Sequence, residues 1–295
     1  SQLIIHYKYA INDLGSEENY PGIFQKDFFD IHPDLVEFTQ PKKVIIKGLG
    51  KEPVELELPR NFDCVAGNPP YTRQEELEDI VEIEGYKERI TETVTHYRNK
   101  KIASLGKRAG IYAHFFLHGW KFLKEGGRFG FIVASSWLNV DYGKYLEEFF
   151  LKNYKIIAII ESKVERWFED ADINTCIVIL EKCFDKKVRD ENIVQFVYFK
   201  KPLNYFIPIS ESMWEKEVER LNEIDKLKKL ILGHYSFYDS EDIRIFPKEQ
   251  RELWEEGFDK NSLNYLGSRW GKYIRAPKIY FKVLKKRKNL FIRLK

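Results

Sequence analysis

One methionine (Met213) and three cysteines (Cys64, Cys176, Cys183) in 295 residues leave little room for sulfur chemistry. The cysteines are too few and too scattered for a disulfide framework. None forms a C-x-x-C pair, so no structural metal site is expected. They read as buried thiols of a reducing cytoplasm. No apolar run approaches the 18 or so residues that cross a bilayer, and no signal-peptide pattern opens the chain, so no membrane partner is expected. Neither sign of charge dominates: 49 Lys and Arg stand against 46 Asp and Glu. A chain that opens Ser-Gln-Leu, with its only methionine at position 213, reads as an internal fragment.

What is present is a core. Apolar residues make up 43% and aromatics 15%, enough to bury a sizeable interior and to exclude general disorder. Charge is uneven along the chain. Residues 75–84 (EELEDIVEIE) are strongly acidic, whereas 268–295 carry eleven Lys or Arg and no Asp or Glu. In that tail the cations are interleaved with Trp270, Tyr273, Tyr280, Phe281 and Phe291, a mixture suited to a nucleic-acid backbone. A solvated charged face is the other reading.

The periodicity predicts an α/β fold. Residues 22–29 (GIFQKDFF) read as a short strand ending in an acid, and 44–58 as a β-hairpin around Gly48-Leu49-Gly50. FDCVAG, residues 62–67, has the composition of a buried parallel strand. Residues 72–110 read as helix fragments and mobile loop, 111–124 as a helix buried all round, and 128–137 as the next strand. A helix near 145–151 and a strand over 155–162 follow. Two more strands, 174–182 and 192–199, are expected to pair as an antiparallel edge. Beyond residue 200 one amphipathic helix is expected over 212–232, then a polar, aromatic-rich connector up to residue 267.

The stretch GNPPY, residues 67–71, stands at the end of the FDCVAG strand, where open α/β sheets bind ligands. Pro69 and Pro70 stiffen the turn and remove N–H groups, leaving its carbonyls free to accept. The Asn68 side-chain oxygen and the Pro69 carbonyl can draw a planar amine toward tetrahedral geometry. Tyr71 can stack on its ring. An ordinary turn is the alternative, since Asn-Pro commonly starts one.

FDCVAGNPPY, preceded by QKDFFD and followed by GRFGFIVASSW, resembles the adenine-specific amino-group DNA methyltransferases of the NPPY class, in the branch found in single-chain restriction–modification enzymes. The likeness extends through residues 112–150, through RWFEDADINTCIVILEK at 166–182, and through RWGKYIRAPKIYF at 269–281. It implies a partial Rossmann-like α/β methyltransferase sheet over residues 1–200, a helical connector over 201–267, and a basic segment over 268–295 that leads into a recognition domain expected to be missing here. It further implies S-adenosylmethionine as cofactor, double-stranded DNA as partner, and methyl transfer to the 6-amino group of a flipped adenine. Site roles follow from the same likeness: Asn68, Pro69, Pro70 and Tyr71 as the amine-activating turn, Tyr71 and Phe168 as the base-stacking pair, and Asp27 and Phe28, with Asn68, as cofactor contacts.

Two departures limit the transfer. The glycine-rich loop that holds the methionine end of the cofactor belongs before Asp27, yet residues 1–26 contain only Gly15 and Gly22. Gly110 stands where relatives often carry a polar residue. The isolated chain is therefore expected to bind the cofactor poorly and to be inactive alone, with the N-terminal segment and recognition domain supplied by the same chain or a partner subunit. Methylation of a protein glutamine or an RNA base, and a non-catalytic DNA-binding subunit, remain the alternatives.

Other candidates carry less. His114 and His118 lie four apart on one helix, but no third ligand is near in sequence, so packing is the expected role. Ser135 and Ser136 at a strand end have no G-x-S-x-G context and are read as lining the crevice. Arg98, Lys100, Lys101, Lys107 and Arg108 could touch phosphates or simply be solvated.

Overall fold

The computed structural model describes residues 27–33, 43–46, 54–57, 61–71, 85–106, 108–168, 173–208 and 217–286. The chain divides into two compact units, Ser1–Arg60 and Asn61–Lys295.

In the first unit, strands Lys43–Ile46 (β1) and Val54–Glu57 (β2) pair antiparallel, with Ile46 opposite Val54. This is the hairpin that the alternation predicts; its turn lies outside the described residues. The strand expected over 22–29 is, in its described part, a 3₁₀ turn at Phe28–Asp30. Asp27 is the physical reason. Its carboxylate accepts from the Phe29 N–H at 3.0 Å and caps the turn, a local bond that competes with strand pairing.

The second unit begins with Phe62–Gly67 (β3), the helix Tyr86–Thr95 (α1) and a small hairpin of His96–Tyr97 (β4) and Lys100–Lys101 (β5). Ile111–Phe122 (α2), Leu123–Ala134 (β6), Lys144–Asn153 (α3), Tyr154–Ser162 (β7) and Thr175–Lys182 (β8) follow. Next come Lys186–Asp190 (α4), Ile193–Phe199 (β9), Leu203–Phe206 (α5), Glu217–Leu232 (α6), Tyr238–Asp239 (β10) and Ile243–Glu249 (β11). The described chain ends with Gln250–Gly257 (α7), the hairpin of Phe258–Asp259 (β12) and Asn264–Tyr265 (β13), Gly271–Arg275 (α8) and Lys278–Lys286 (α9). The main sheet has the order β10-β11-β9-β7-β8-β6-β3. Strands β3, β6, β7 and β9 run one way, and β8 lies antiparallel between β6 and β7.

Helix α2 is apolar nearly all round and is buried accordingly, with Phe116 stacked on Phe129 of β6 at 5.3 Å. Lys182, at the end of β8, closes it. The buried ammonium donates to the carbonyls of Trp120 and Leu123 at 2.9 and 2.7 Å, alongside the bond that the Trp120 carbonyl accepts from the Leu123 N–H. Across the sheet, Gln250 ties β7 to the start of α7, donating to Tyr154 O at 2.7 Å and accepting from Ile156 N at 3.1 Å.

Several expectations are corrected. FDCVAG forms its parallel strand, but β3 stands at the end of the sheet order and Cys64 is exposed, because an edge strand has one neighbour only. The two strands expected to pair as an edge do not touch: β8 and β9 flank β7, and the chain crosses it through α4. The described part of residues 72–110 is largely ordered into α1 and the β4–β5 hairpin, whose turn residues Arg98 and Asn99 both take positive φ. In α6 the predicted apolar stripe is mostly exposed at Val218 and Leu221, and Ile231 is buried; residues 212–216 lie outside the described set. The stretch read as a connector also carries β10 and β11, which extend the main sheet. Among the described residues no helix is long and apolar enough to cross a membrane.

Candidate active site

The parallel strands bring their carboxyl ends to one edge, and the Asn68–Tyr71 turn leaves the sheet there. Gly67 fits closely at the last strand position: a Cβ would lie 3.1 Å from the Phe131 ring of the neighbouring strand, which would have to give way by a few tenths of an ångström. Pro69 is buried, Asn68 and Pro70 are exposed, and Tyr71 is half-buried. The turn closes on itself: the Tyr71 hydroxyl donates a short hydrogen bond to Asn68 Oδ1. Burial, with the neighbouring Cys176, pushes the Tyr71 phenol up to about 12, against the pull of the Asn68 bond.

Phe168 arrives from the loop after β7. Its ring centroid lies 5.8 Å from that of Tyr71, with the planes inclined at 56°. The adjacent Trp167 points elsewhere, packing against the cluster of Ala158, Val197 and Phe199, with its indole N–H on Glu165 at 3.2 Å. Asn68, Tyr71 and Phe168 are thus brought together from segments nearly 100 residues apart in sequence. Asp27 and Phe28 belong to the first unit, where both are half-buried in the capped turn.

The same edge holds a charged pair that sequence reading missed. Glu161, near the end of β7, is buried and accepts from Arg275 of α8, through Nε at 2.8 Å and through a second, shorter bond from Nη2. Arg275 Nη2 also donates to Ser135 Oγ at 3.3 Å. Burial raises the Glu161 carboxyl above its ordinary range, and Arg275 opposes that rise. Cys176, opposite Glu161 on β8, is fully buried, and burial pushes its thiol up. A second missed carboxylate is Glu147 of α3, buried to 1% exposure. It accepts from Tyr265 Oη at 2.9 Å, Ser268 N at 2.8 Å and Trp270 N at 3.4 Å. Only the isolated charge inside IIES hinted at Glu161; nothing local marks Glu147.

Ser135 is buried at the end of β6 and bound to Arg275, whereas Ser136 is exposed. His114 is a packed residue, its Nε2 sharing a hydrogen bond with Thr91 Oγ1 at 2.9 Å. His118 meets the Phe122 ring edge-on at 5.3 Å.

A family model described as Eco57I restriction-modification methylase matches residues 7–168, more than half of the chain. The chain is 33% identical over 129 residues to Type II methyltransferase M.BstVI of Geobacillus stearothermophilus, covering 43% of this chain and 21% of that protein. It is 29% identical over 123 residues to the Type II restriction enzyme and methyltransferase RM.Eco57I of Escherichia coli, covering 41% and 11% respectively. These matches span only a minor part of either relative. Among solved structures, the type IIG restriction endonuclease BpuSI shares the fold with a TM-score of 0.52 at 14% identity, over 91% of this chain and 25% of that one.

Proposed function

The chain belongs to the Eco57I restriction-modification methylase family, and from that premise we propose that it holds the amine-activating part of a DNA methyltransferase acting on the 6-amino group of a flipped adenine. The observation that carries this reading is the meeting of Tyr71 and Phe168 beside the Asn68 amide. Two aromatic faces and an acceptor on a proline-stiffened turn suit a planar base that bears an amino group.

In this mechanism the extruded base slides between the two rings. Stacking on both sides needs about 7 Å between their planes, twice the roughly 3.4 Å rise of stacked bases. The centroids now lie 5.8 Å apart with the planes inclined at 56°, so base entry must both widen the gap and turn the rings toward parallel. Entry also displaces the Tyr71 hydroxyl from Asn68 Oδ1. The freed Asn68 oxygen and the Pro69 carbonyl then accept from the two amino hydrogens, which localises the nitrogen lone pair for attack. Acceptors fixed in advance act where charge develops, so no strongly shifted base is required.

S-adenosylmethionine, when bound, supplies the electrophilic methyl group. Asp27 and Phe28 are the residues that would hold its adenine. Asp27 fits that role in one respect: the Phe29 N–H orients its carboxylate within a half-buried turn. No residues are assigned to the methionine end, because residues 1–26 contain no glycine-rich loop.

The test is chemical. Duplex DNA is incubated with the full-length protein and labelled S-adenosylmethionine, then digested to nucleosides for mass spectrometry. N6-methyladenine supports the reading. Label in N4-methylcytosine, in RNA alone or in protein alone overturns the assignment of the acceptor.

A further inference from the structure

A cleft of about 520 Å³ opens beyond the end of β6, and the mechanism above does not use it. Its walls include Arg108 ahead of α2, then Asn139, Asp141, Tyr142 and Lys144 after β6, and Arg269. The cleft lies at the same sheet edge as Asn68. Phe116 of α2 packs on both Phe129 and Phe131, and Gly119 meets Phe129 and Val65, so α2 runs antiparallel to β6. The start of α2 and the loop leaving β6 therefore share the carboxyl end of the strands.

The charge in the cleft is unbalanced. Arg269 pairs with Asp141 at 2.7 Å. Among the described residues no carboxylate pairs with Arg108 or Lys144, so three cations face one anion. Like charges gathered in a concave surface focus a field that draws an anion in. Asn139 and Tyr142 also line the cleft, and the Tyr142 hydroxyl shares a hydrogen bond with Ser136 Oγ at 3.4 Å.

The cleft is also built rather than incidental. Arg269 is held in the left-handed region at φ 54°, a conformation rare for a residue with a side chain. It is fixed there because the N–H groups on either side, Ser268 and Trp270, both bind the buried Glu147. Gly271 lets the segment close on Asn139, whose Oδ1 would lie 2.1 Å from an added Cβ.

We infer that this cleft seats a backbone phosphate of the DNA strand near the extruded nucleotide, with Arg108 and Lys144 as the contacting cations and Arg269 completing the wall. The inference rests on the proposal that DNA is the substrate and adds where its backbone is gripped.

Fluorescence anisotropy of a labelled duplex with the full-length protein, across a salt series, tests it. Each phosphate contact contributes about 0.9 to the slope of log K against log salt, so losing one weakens binding about eightfold at 0.1 M salt relative to 1 M. R108Q and K144Q should each flatten the slope by that amount, and the double variant by both. D141N removes the opposing charge and should tighten binding. K187Q, an exposed charge in α4 after the far end of β8, should leave the slope unchanged. Wild-type slope in the R108Q/K144Q double variant, an equal loss in K187Q, or no duplex binding by the wild type would each overturn the inference. If the slopes change as expected but no methylated base forms, the cleft stands and the proposed reaction falls.

Discussion

Replacing Tyr71 by phenylalanine removes one oxygen, and replacing it by alanine removes the ring, so the two variants separate the hydroxyl from the stacking face. The hydroxyl donates to Asn68 Oδ1 in the resting turn, and that bond must break before the acceptor can serve a base. A net hydrogen bond contributes about 1 kcal/mol. Y71F should therefore keep kcat/KM for duplex DNA at the wild-type value or raise it by up to about fivefold. Y71A loses a stacking face worth roughly 1–3 kcal/mol, so kcat/KM should fall by about 5- to 150-fold. With the phenol pushed up to about 12, it stays protonated at any practical pH; a rate profile between pH 6 and 9 should show no step that Y71F abolishes. The assay is steady-state transfer of labelled methyl to a duplex by the full-length protein, with DNA varied. If Y71F falls as far as Y71A, the hydroxyl takes part in the chemistry and the displacement argument is wrong.

Glu147→Ala strands three buried donors that now share one carboxylate, and should cost about 3–5 kcal/mol in urea unfolding; a loss below about 1 kcal/mol would show that the bonds do not fasten residues 265–270. His114 gives a pH signature. Burial holds it down to about 4 from 6.5, so on acidification the unfolded state takes the proton first, and stability is lost as pH falls from 6.5 toward 4. Between pH 7 and pH 4.5 that loss should come to about 2.4 kcal/mol and be missing from H114Q in denaturant series at the two pH values. An identical pH dependence in both proteins would contradict the assignment.

The readable parts of the fold were those with local causes. Two prolines after an asparagine marked the turn, and an apolar surface on every side marked α2. Strand neighbours were not readable, because the alternation in β8 and β9 says that each is a strand and not that β7 separates them. Trp167 and Phe168 are adjacent and chemically alike, and only packing against Ala158, Val197 and Phe199 turns one inward and leaves the other to Tyr71. Glu147, Glu161 and Arg275 look like solvated charges in the sequence. Their partners lie more than 110 residues away, and it is those partners that compensate their burial.

The central claim is that Asn68 makes an amine nucleophilic rather than merely shaping a turn. Asn68 is exposed and, among the described residues, its side chain bonds Tyr71, so N68A should cost no more than about 1 kcal/mol in unfolding and leave duplex affinity within about fivefold of wild type. Loss of a preorganised hydrogen-bonding group at the reacting centre should lower single-turnover methyl transfer by about 100- to 1,000-fold. Single-turnover transfer by the full-length N68A protein, measured beside its DNA affinity, is therefore the decisive experiment. A rate within about fivefold of wild type, far inside that expected loss, would mean that the turn activates nothing.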